Sequence, residues 1–448
     1  MSMQSTAQNT EPQYTAVSTS DETVVYAPQR FRRLSWLQKL FTRNTACGIV
    51  ALSAVFLDFP ILPERQFFVS HLIVIGMVLS LFAQGLAIEP RVFQRHLFYI
   101  CLLFIPSICA ALYHGPGHRF SNDTIKLLIY ALGVFSLARM LTSEMIVNVI
   151  LWIPYALAAY CLWETISSEN VFTFSGRFTL DNTGSPNTVG AMLALAVLPL
   201  WLLYDSSRQK ALSIAAGVTL LAFLMLSFSR ANIIGLGVAV VAAVPVKRLV
   251  VMVPLVLAIS VVALSMIVDL GAFIENADVL NKANLMTDIV DRRSSSRLDI
   301  WYTLMMQYAV TPTAWIFGFG PGSVEYYVPS FTSYLNQSKY LYSPHSNLVG
   351  SFYYFGVAGL ATFLALAYTA FRNATEATKY RRLKIAVFAF YAATSALDSH
   401  ILASQGMFVH MFFISLLFSD STRDMARRLS RDDSAAIQSA RSSRFPRR

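Results

Sequence analysis

Apolar residues along this chain fall into long runs, separated mostly by short polar breaks. A bilayer-spanning helix needs roughly 20 mostly apolar residues. Scanned for runs of that kind, the chain predicts about twelve spans, near 45–62, 67–88, 97–113, 124–141, 145–165, 186–204, 210–228, 231–246, 249–269, 346–371, 383–399 and 402–418. The third and eighth are short. Lipid leaves no partner for an unpaired backbone group, so runs of this kind predict helices. The expected fold is an all-α membrane protein with four kinds of segment. Residues 1–44 form an N-terminal tail, 45–269 carry transmembrane helices 1–9, and 346–418 carry helices 10–12. Residues 419–448 form a basic tail. Between helices 9 and 10, residues 270–345 form a large polar loop containing short helices.

Positive charge then orients the helices. An even number of spans puts both termini on one side. Of the 35 Lys and Arg residues, all but Arg65, Arg119, Lys126, Arg177, Arg230, Lys282, Arg292, Arg293, Arg297 and Lys339 fall on the side of the termini. Short cytoplasmic loops carry such an excess. Both tails are therefore expected in the cytoplasm and residues 270–345 outside. The tail ends in Arg30-Phe31-Arg32-Arg33 and runs on to Lys39 and Arg43, with Trp36, Leu37, Leu40 and Phe41 between. Two readings fit it equally: a short amphipathic helix lying on membrane lipids, or a solvated tail. The first apolar run starts only near Thr45, so no cleavable signal peptide is expected.

Composition agrees. Hydrophobic residues make up 55% and charged residues 13%, with mean hydropathy +0.51, where a soluble domain carries about 25% charge. The net charge of +10 raises nucleic acid as a partner. The positions of the basic residues, in tails and short loops, argue for no nucleic acid. Cys47, Cys101, Cys109 and Cys161 lie in apolar runs without C-x-x-C spacing, so neither a zinc site nor a disulfide framework is indicated. Walker A, H-E-x-x-H and D-x-D patterns are absent. No metal and no cofactor are expected.

Candidate chemistry gathers on the outward side. Arg230, in Leu226-Ser227-Phe228-Ser229-Arg230-Ala231-Asn232, sits in a short break between two apolar runs. An arginine near hydrocarbon costs about 2.5–3.5 kcal/mol on insertion scales unless paired or wetted. The long loop opens on Asp291-Arg292-Arg293-Ser294-Ser295-Ser296-Arg297. Ser296 and Asp299 resemble a capping box before Trp301. An arginine in the first turn of that helix opposes the macrodipole, and a bound anion would relieve the conflict. Gly318-Phe319-Gly320-Pro321-Gly322 predicts a tight turn whose amides would also suit a phosphate. Ser343-Pro344 predicts the start of the tenth helix, putting His345 in its first turn beside Asn347. There the helix dipole favours a neutral imidazole able to take a proton. Ser185-Pro186 predicts another helix start, with Arg177 and Asn187 on the same outer side.

In this order, the motifs resemble the bacterial O-antigen ligase and polysaccharide polymerase superfamily. The resemblance rests on Gly176-Arg177-Phe178 to Ser185-Pro186-Asn187, Ser229-Arg230, Arg297 with Trp301, Gly318-Phe319-Gly320-Pro321-Gly322, Pro344-His345-Ser346-Asn347 and Tyr354-Phe355-Gly356-Val357-Ala358-Gly359-Leu360. It covers residues 170–365. It implies a metal-independent glycosyltransferase of the inner membrane with its active site facing the periplasm. The implied donor is a glycan on undecaprenyl pyrophosphate; the acceptor is another lipid-linked glycan or the lipid A core. Arg230 and Arg297 would hold the pyrophosphate, and His345 would act as base or acceptor orienter. Arg177 is a weaker donor-site candidate, and Asn187, Arg292, Arg293, Gly320 and Asn347 are candidate substrate contacts. The chain departs from many relatives in having His-Ser-Asn where they have His-Asn. A secondary transporter or lipid-linked glycan flippase is the rival reading, but the chain lacks a convincing internal repeat.

Overall fold

In a computed structural model of the chain, the described residues are 14–18, 24–28, 44–56, 60–62, 67–68, 72–73, 75–76, 104–113, 120–167, 178–180, 186–203, 210–244, 301, 304–306, 311–321, 323, 346–377, 379–396 and 407–419. Most are helical. In chain order the helices are α1 (Asn44–Phe56), α2 (Phe104–Tyr113), α3 (Phe120–Met140), α4 (Ser143–Ile150), α5 (Ile153–Ser167) and α6 (Pro186–Leu202). They continue with α7 (Lys210–Leu226), α8 (Arg230–Ala243), α9 (Ala314–Phe317), α10 (Asn347–Glu376), α11 (Arg381–Ser395) and α12 (Met407–Phe418).

Two short ribbons amend the all-α expectation. Strands β1 (Tyr14–Ser18) and β2 (Val24–Pro28) pair antiparallel, as do β3 (Pro60–Leu62) and β4 (Phe67–Phe68). Val24, Val25 and Tyr26 are strand-favouring types. The first span, expected to reach 62, ends as helix at Phe56. Pro60 has no N–H to continue a helix ladder and opens β3 instead. The second span was expected from 67, but Phe67–Phe68 belong to β4. The expected ninth span, residues 270–300 of the loop and both basic tail segments lie outside the described residues.

Among the described residues, two helical stretches have the length and apolarity to cross a bilayer: Ser143–Ser167, of 25 residues, and Asn347–Glu376, of 30. Shorter apolar helices such as α6 and α7, of 17 residues each, reach about 26 Å at 1.5 Å per residue. That is close to the roughly 30 Å of hydrocarbon. The expected single helix over 145–165 is broken between α4 and α5. Pro154 has no N–H to offer the carbonyl of Ile150 and its ring crowds it, so the chain turns at Leu151-Trp152. Helix α6 is buried along most of its length. It sits among α5, α7, α8 and α11. The most extensive helix pairing joins α8 to α11. There a Cβ on Gly235 would stand 2.5 Å from Thr394 Cγ2 and 3.1 Å from the Phe390 ring, the close approach that small residues permit between membrane helices.

Candidate functional site

Five helix ends meet at one end of this bundle. The break between α7 and α8 is the first part. Phe228 takes φ 48°, a left-handed backbone; for a non-glycine residue this costs on the order of 1–3 kcal/mol. The sharp turn puts Ser229 at the N-cap position of α8, without a side-chain capping bond, and makes Arg230 the first helical residue. Arg230 is exposed, whereas Ser227, Ser229 and Asn232 around it are buried.

What holds the strained turn is α6. Its helix starts at Pro186 as expected, with proline at the position where the missing N–H is harmless. Asn187 follows. Asn232 Nδ2 donates to the Asn187 carbonyl at 2.7 Å and to Ser229 Oγ at 2.6 Å, and Ser229 Oγ donates to Asn187 Oδ1 at 3.3 Å. The ring of bonds ties the α6 start to the Arg230 turn. Gly190 lets the two approach: a Cβ there would lie 2.6 Å from the Ser229 Cβ. Asn232 Oδ1 is buried with no hydrogen-bond partner, an omission worth about 1–3 kcal/mol. Arg177 lies outside the described residues, but its neighbour Phe178 is anchored here. The Phe178 amide donates to the Leu226 carbonyl at 2.9 Å, and its ring lies 4.5 Å from that of Phe223.

The start of α10 and the end of α11 form the second part. Helix α10 is capped by Ser346, whose Oγ accepts from the Val349 amide at 3.2 Å. The expected start at Ser343-Pro344 is therefore corrected: the helix begins at Asn347. His345 precedes the cap instead of lying in the first turn, and its own placement is outside the described residues. Ser346 Oγ donates to the Ser395 carbonyl at 3.1 Å, and Asn347 Nδ2 donates to Ser395 Oγ at 3.3 Å. Asn347 Oδ1 is a second buried amide oxygen without a partner. Ser395 and Thr394 are adjacent on α11, and Gly235 packs on Thr394, so the Arg230 turn and the Asn347 start share one end of the α8–α11 pair.

The glycine turn is the third part, and it explains a kink. Gly356 interrupts α10 with φ 65° and ψ −157°. Such a break frees carbonyls one turn earlier. The amides of Phe319 and Gly320 fill them, donating to the Tyr353 and Tyr354 carbonyls at 2.9 Å each. Gly318, at φ 74°, lies directly against the Tyr354–Phe355 backbone, and Gly356 against Ile316. Neither face has room for a Cβ. Ser323 Oγ closes the turn by donating to the Gly320 carbonyl at 2.5 Å. The amides of Gly318, Phe319 and Gly320 all go to protein carbonyls. This turn thus seats the loop on α10 and does not present those three amides to a phosphate. Beside it, Leu304, Phe319, Tyr353 and Phe355 form a small apolar cluster with Trp301 packed on it.

Of the expected site residues, the structure describes Arg230, Asn187, Gly320 and Asn347. It joins Asn187 to the Arg230 turn and Asn347 to Ser395. Arg177, Arg292, Arg293, Arg297 and His345 lie outside the described residues. Sequence reasoning gave no role to Asn232, Ser395 or Gly190. Asn232 stood in the quoted motif; Ser395 and Gly190 carried no local signal. Among the described residues no group of three His, Cys, Asp or Glu comes together as a metal site would need.

Compared with protein families, residues 215–364 match the family described as O-antigen ligase. The matched stretch contains Arg230, Arg297, the glycine turn, His345 and the Gly356 kink, and leaves Arg177 and Asn187 outside. No curated protein matches the chain.

Proposed function

We propose, from the match of residues 215–364 to the O-antigen ligase family, that the chain works as the O-antigen ligase and polymerase superfamily does and transfers a glycan from undecaprenyl pyrophosphate to an acceptor sugar at the periplasmic face of the inner membrane. The observation that carries this reading is the convergence just described. An exposed arginine opens α8 at the same end of the bundle where Ser346 and Asn347 open α10, one residue after His345. Pyrophosphate leaves readily once its developing charge is neutralised. Arg230 and Arg297 are assigned that role, since a guanidinium fork engages phosphate oxygens in pairs. His345 is assigned the acceptor proton, taken as the hydroxyl attacks the anomeric carbon and the bond to pyrophosphate breaks. Arg177, Arg292 and Arg293 would attract the donor, and Asn187 and Asn347 would orient it. Gly320 serves by seating the loop on α10. The acceptor is a second lipid-linked repeat, as in exopolysaccharide or O-antigen polymerisation; the alternative is the lipid A core.

The test is transfer by the purified protein from an undecaprenyl-pyrophosphate glycan, offered either acceptor. His345→Ala should lower transfer more than a hundredfold at unchanged membrane level, and wild-type rates would remove the base role. Longer lipid-linked chains would mark a polymerase; glycan on lipid A core would mark a ligase. Sidedness is separate. A reporter fused after Tyr340 should be active only in the periplasm, and cytoplasmic activity there would overturn the site assignment.

A further inference from the structure

The short helix α9 and the glycine turn after it pack on α10 between Phe352 and Gly356. The Trp315 ring lies 5.5 Å from that of Phe352, Gly356 abuts the Ile316 backbone, and the Phe319 and Gly320 amides bond Tyr353 and Tyr354. The other side of α9 is apolar and open. Ile316 is 60% exposed, Trp315 48% and Phe317 37%. Residues 311–324 carry no charge. Adjoining large apolar side chains left uncovered mark a surface that meets something else.

We propose that Trp315, Ile316 and Phe317 insert into the bilayer, so that α9 is a wedge by which the loop before α10 dips into the leaflet on its own side. Three observations select lipid as the partner. One is depth. Arg372 and Glu376 form an exposed ion pair near the far end of α10, so hydrocarbon reaches no further down that helix than about Phe371. Roughly 30 Å of hydrocarbon takes about 20 residues at 1.5 Å each, which brings its other edge to Ser351. Tilting α10 brings more of it into hydrocarbon. The contacts of α9 with Phe352 to Gly356 lie just inside that edge, the depth at which tryptophan is enriched. Another is continuity. From Val357 to Phe371 the exposed residues of α10 are Val357, Ala361, Leu364, Tyr368 and Phe371, one lipid-facing stripe at helical spacing. Ile316 stands against Gly356, directly above that stripe, and the α9 patch extends it. The last is the backbone, which lipid accepts only where its polar groups are met internally. The Ala314, Trp315 and Ile316 amides donate to the Thr311, Pro312 and Thr313 carbonyls, and the Gly318 amide to that of Ala314. With Phe319 and Gly320 bonded to α10, these donors need no water.

The test uses the full chain in nanodiscs with 5-fluorotryptophan in place of tryptophan, and it does not depend on transfer. The Trp315 fluorine resonance is assigned by its loss in Trp315→Phe. Phosphatidylcholine carrying a doxyl spin label on its acyl chain should broaden that resonance at least twofold, and a water-soluble gadolinium chelate should leave it sharp. Broadening by the chelate and not by the lipid label would put α9 in water and overturn the proposal. Protection from both would show that protein, such as a second copy of the chain, covers the patch, and would overturn it as well. A second variant leaves Trp315 in place. Ile316→Asp puts a carboxylate where hydrocarbon is expected, on a side chain exposed enough for the fold to hold. It should raise broadening by the chelate at least threefold and lower that by the lipid label. An unchanged response to both labels would remove the insertion from these side chains.

Discussion

The two ends of the bundle close their helices with different chemistry. At the end where α6, α8 and α10 begin, Asn187, Ser229, Asn232, Ser346, Asn347 and Ser395 do the closing, all of them uncharged. Among the described residues two amide oxygens there stay without partners; of the cations at that end, Lys126 near the start of α3 is buried and Arg230 is exposed. At the other end cations are built into the structure. Lys384 is buried, and its Nζ donates to the Ser419 carbonyl at 2.6 Å, just past α12. Ser143 Oγ donates to the same carbonyl at 3.1 Å. A cation at a helix C-terminus satisfies orphan carbonyls and complements the dipole. Lys379 Nζ lies 3.6 Å from Glu144 in the first turn of α4, where a carboxylate is favoured. The contrast teaches where to look for function. Charge at one end does structural work, while Arg230 stands at a helix N-terminus, where the dipole opposes it.

The largest expected effect breaks this comparison at the end proposed to hold the site. Arg230→Lys should lose about a hundredfold in transfer, roughly 2.7 kcal/mol of transition-state stabilisation, because an ammonium cannot reproduce a bidentate fork. The side chain is exposed, so the amount of folded protein should hold. Arg297→Lys should behave alike. If the two share one pyrophosphate, the double variant should be little worse than either single one, since groups acting as a unit are not additive. Transfer rates of the three variants decide it; wild-type rates for both single variants would sink the clamp.

Lys384→Met inverts the pattern. It keeps the length of the side chain and removes the charged donor to Ser419. A hydrogen bond made by a charged group is worth about 1.5–3 kcal/mol, so the variant should unfold at lower temperature and reach the membrane at lower level. Transfer per folded molecule should stay at the wild-type rate. A loss of specific activity at normal stability would show that this end, too, takes part in the reaction.

How much of this could be read from the residues depends on the range of the interactions. Ser185-Pro186 announced the start of α6 because an N1 proline is a local signal. Ser343-Pro344 carried the same signal and misled by a turn. The cap that holds is Ser346, and it holds because Ser395 on another helix fixes the Ser346 hydroxyl. The Gly318–Gly322 run was legible as a turn, but its partner was not. Gly356 looks like an ordinary helix glycine until the Phe319 and Gly320 amides reach the carbonyls its kink frees. The same holds for Asn232, whose bonds cross to Asn187 and whose role depends on how α6 packs. Capping and turn propensities act within a few residues, while what brings these ends together is packing between helices distant in sequence.

Asn232→Ala should have a moderate effect on both properties. It removes the bonds to Asn187 and Ser229, each worth about 1 kcal/mol net, but also the unpartnered oxygen, whose burial costs a similar amount. Stability should therefore change little. The Arg230 turn, held against strain at Phe228, would lose its tether to α6, and transfer should fall about tenfold. Asn232→Asp keeps the shape but loses the Nδ2 donor, so it should not restore the rate. If thermal stability collapses and the residual specific activity is normal, Asn232 is only a packing residue and the tether has no functional role.

The smallest effect is expected at Arg372, and it guards the comparison from the other side. Arg372 Nε bonds Glu376 Oε1 at 2.6 Å, one turn along α10, with both side chains exposed. Water screens an exposed pair almost completely. Arg372→Gln removes one basic charge from a segment that also carries Lys379, Arg381, Arg382 and Lys384, so the orientation bias survives. Membrane level, melting temperature and transfer should all match wild type. The measurement is the same panel applied to Arg230→Lys. Exposure alone would then fail to predict importance: two exposed arginines on the same protein, one silent and one essential, would differ in which end of the bundle presents them and in the pairing of Arg372 with Glu376. If Arg372→Gln lost transfer to a similar degree, exposed cations at both ends would matter alike, and the location of the site at the α8–α10 starts would no longer follow from charge.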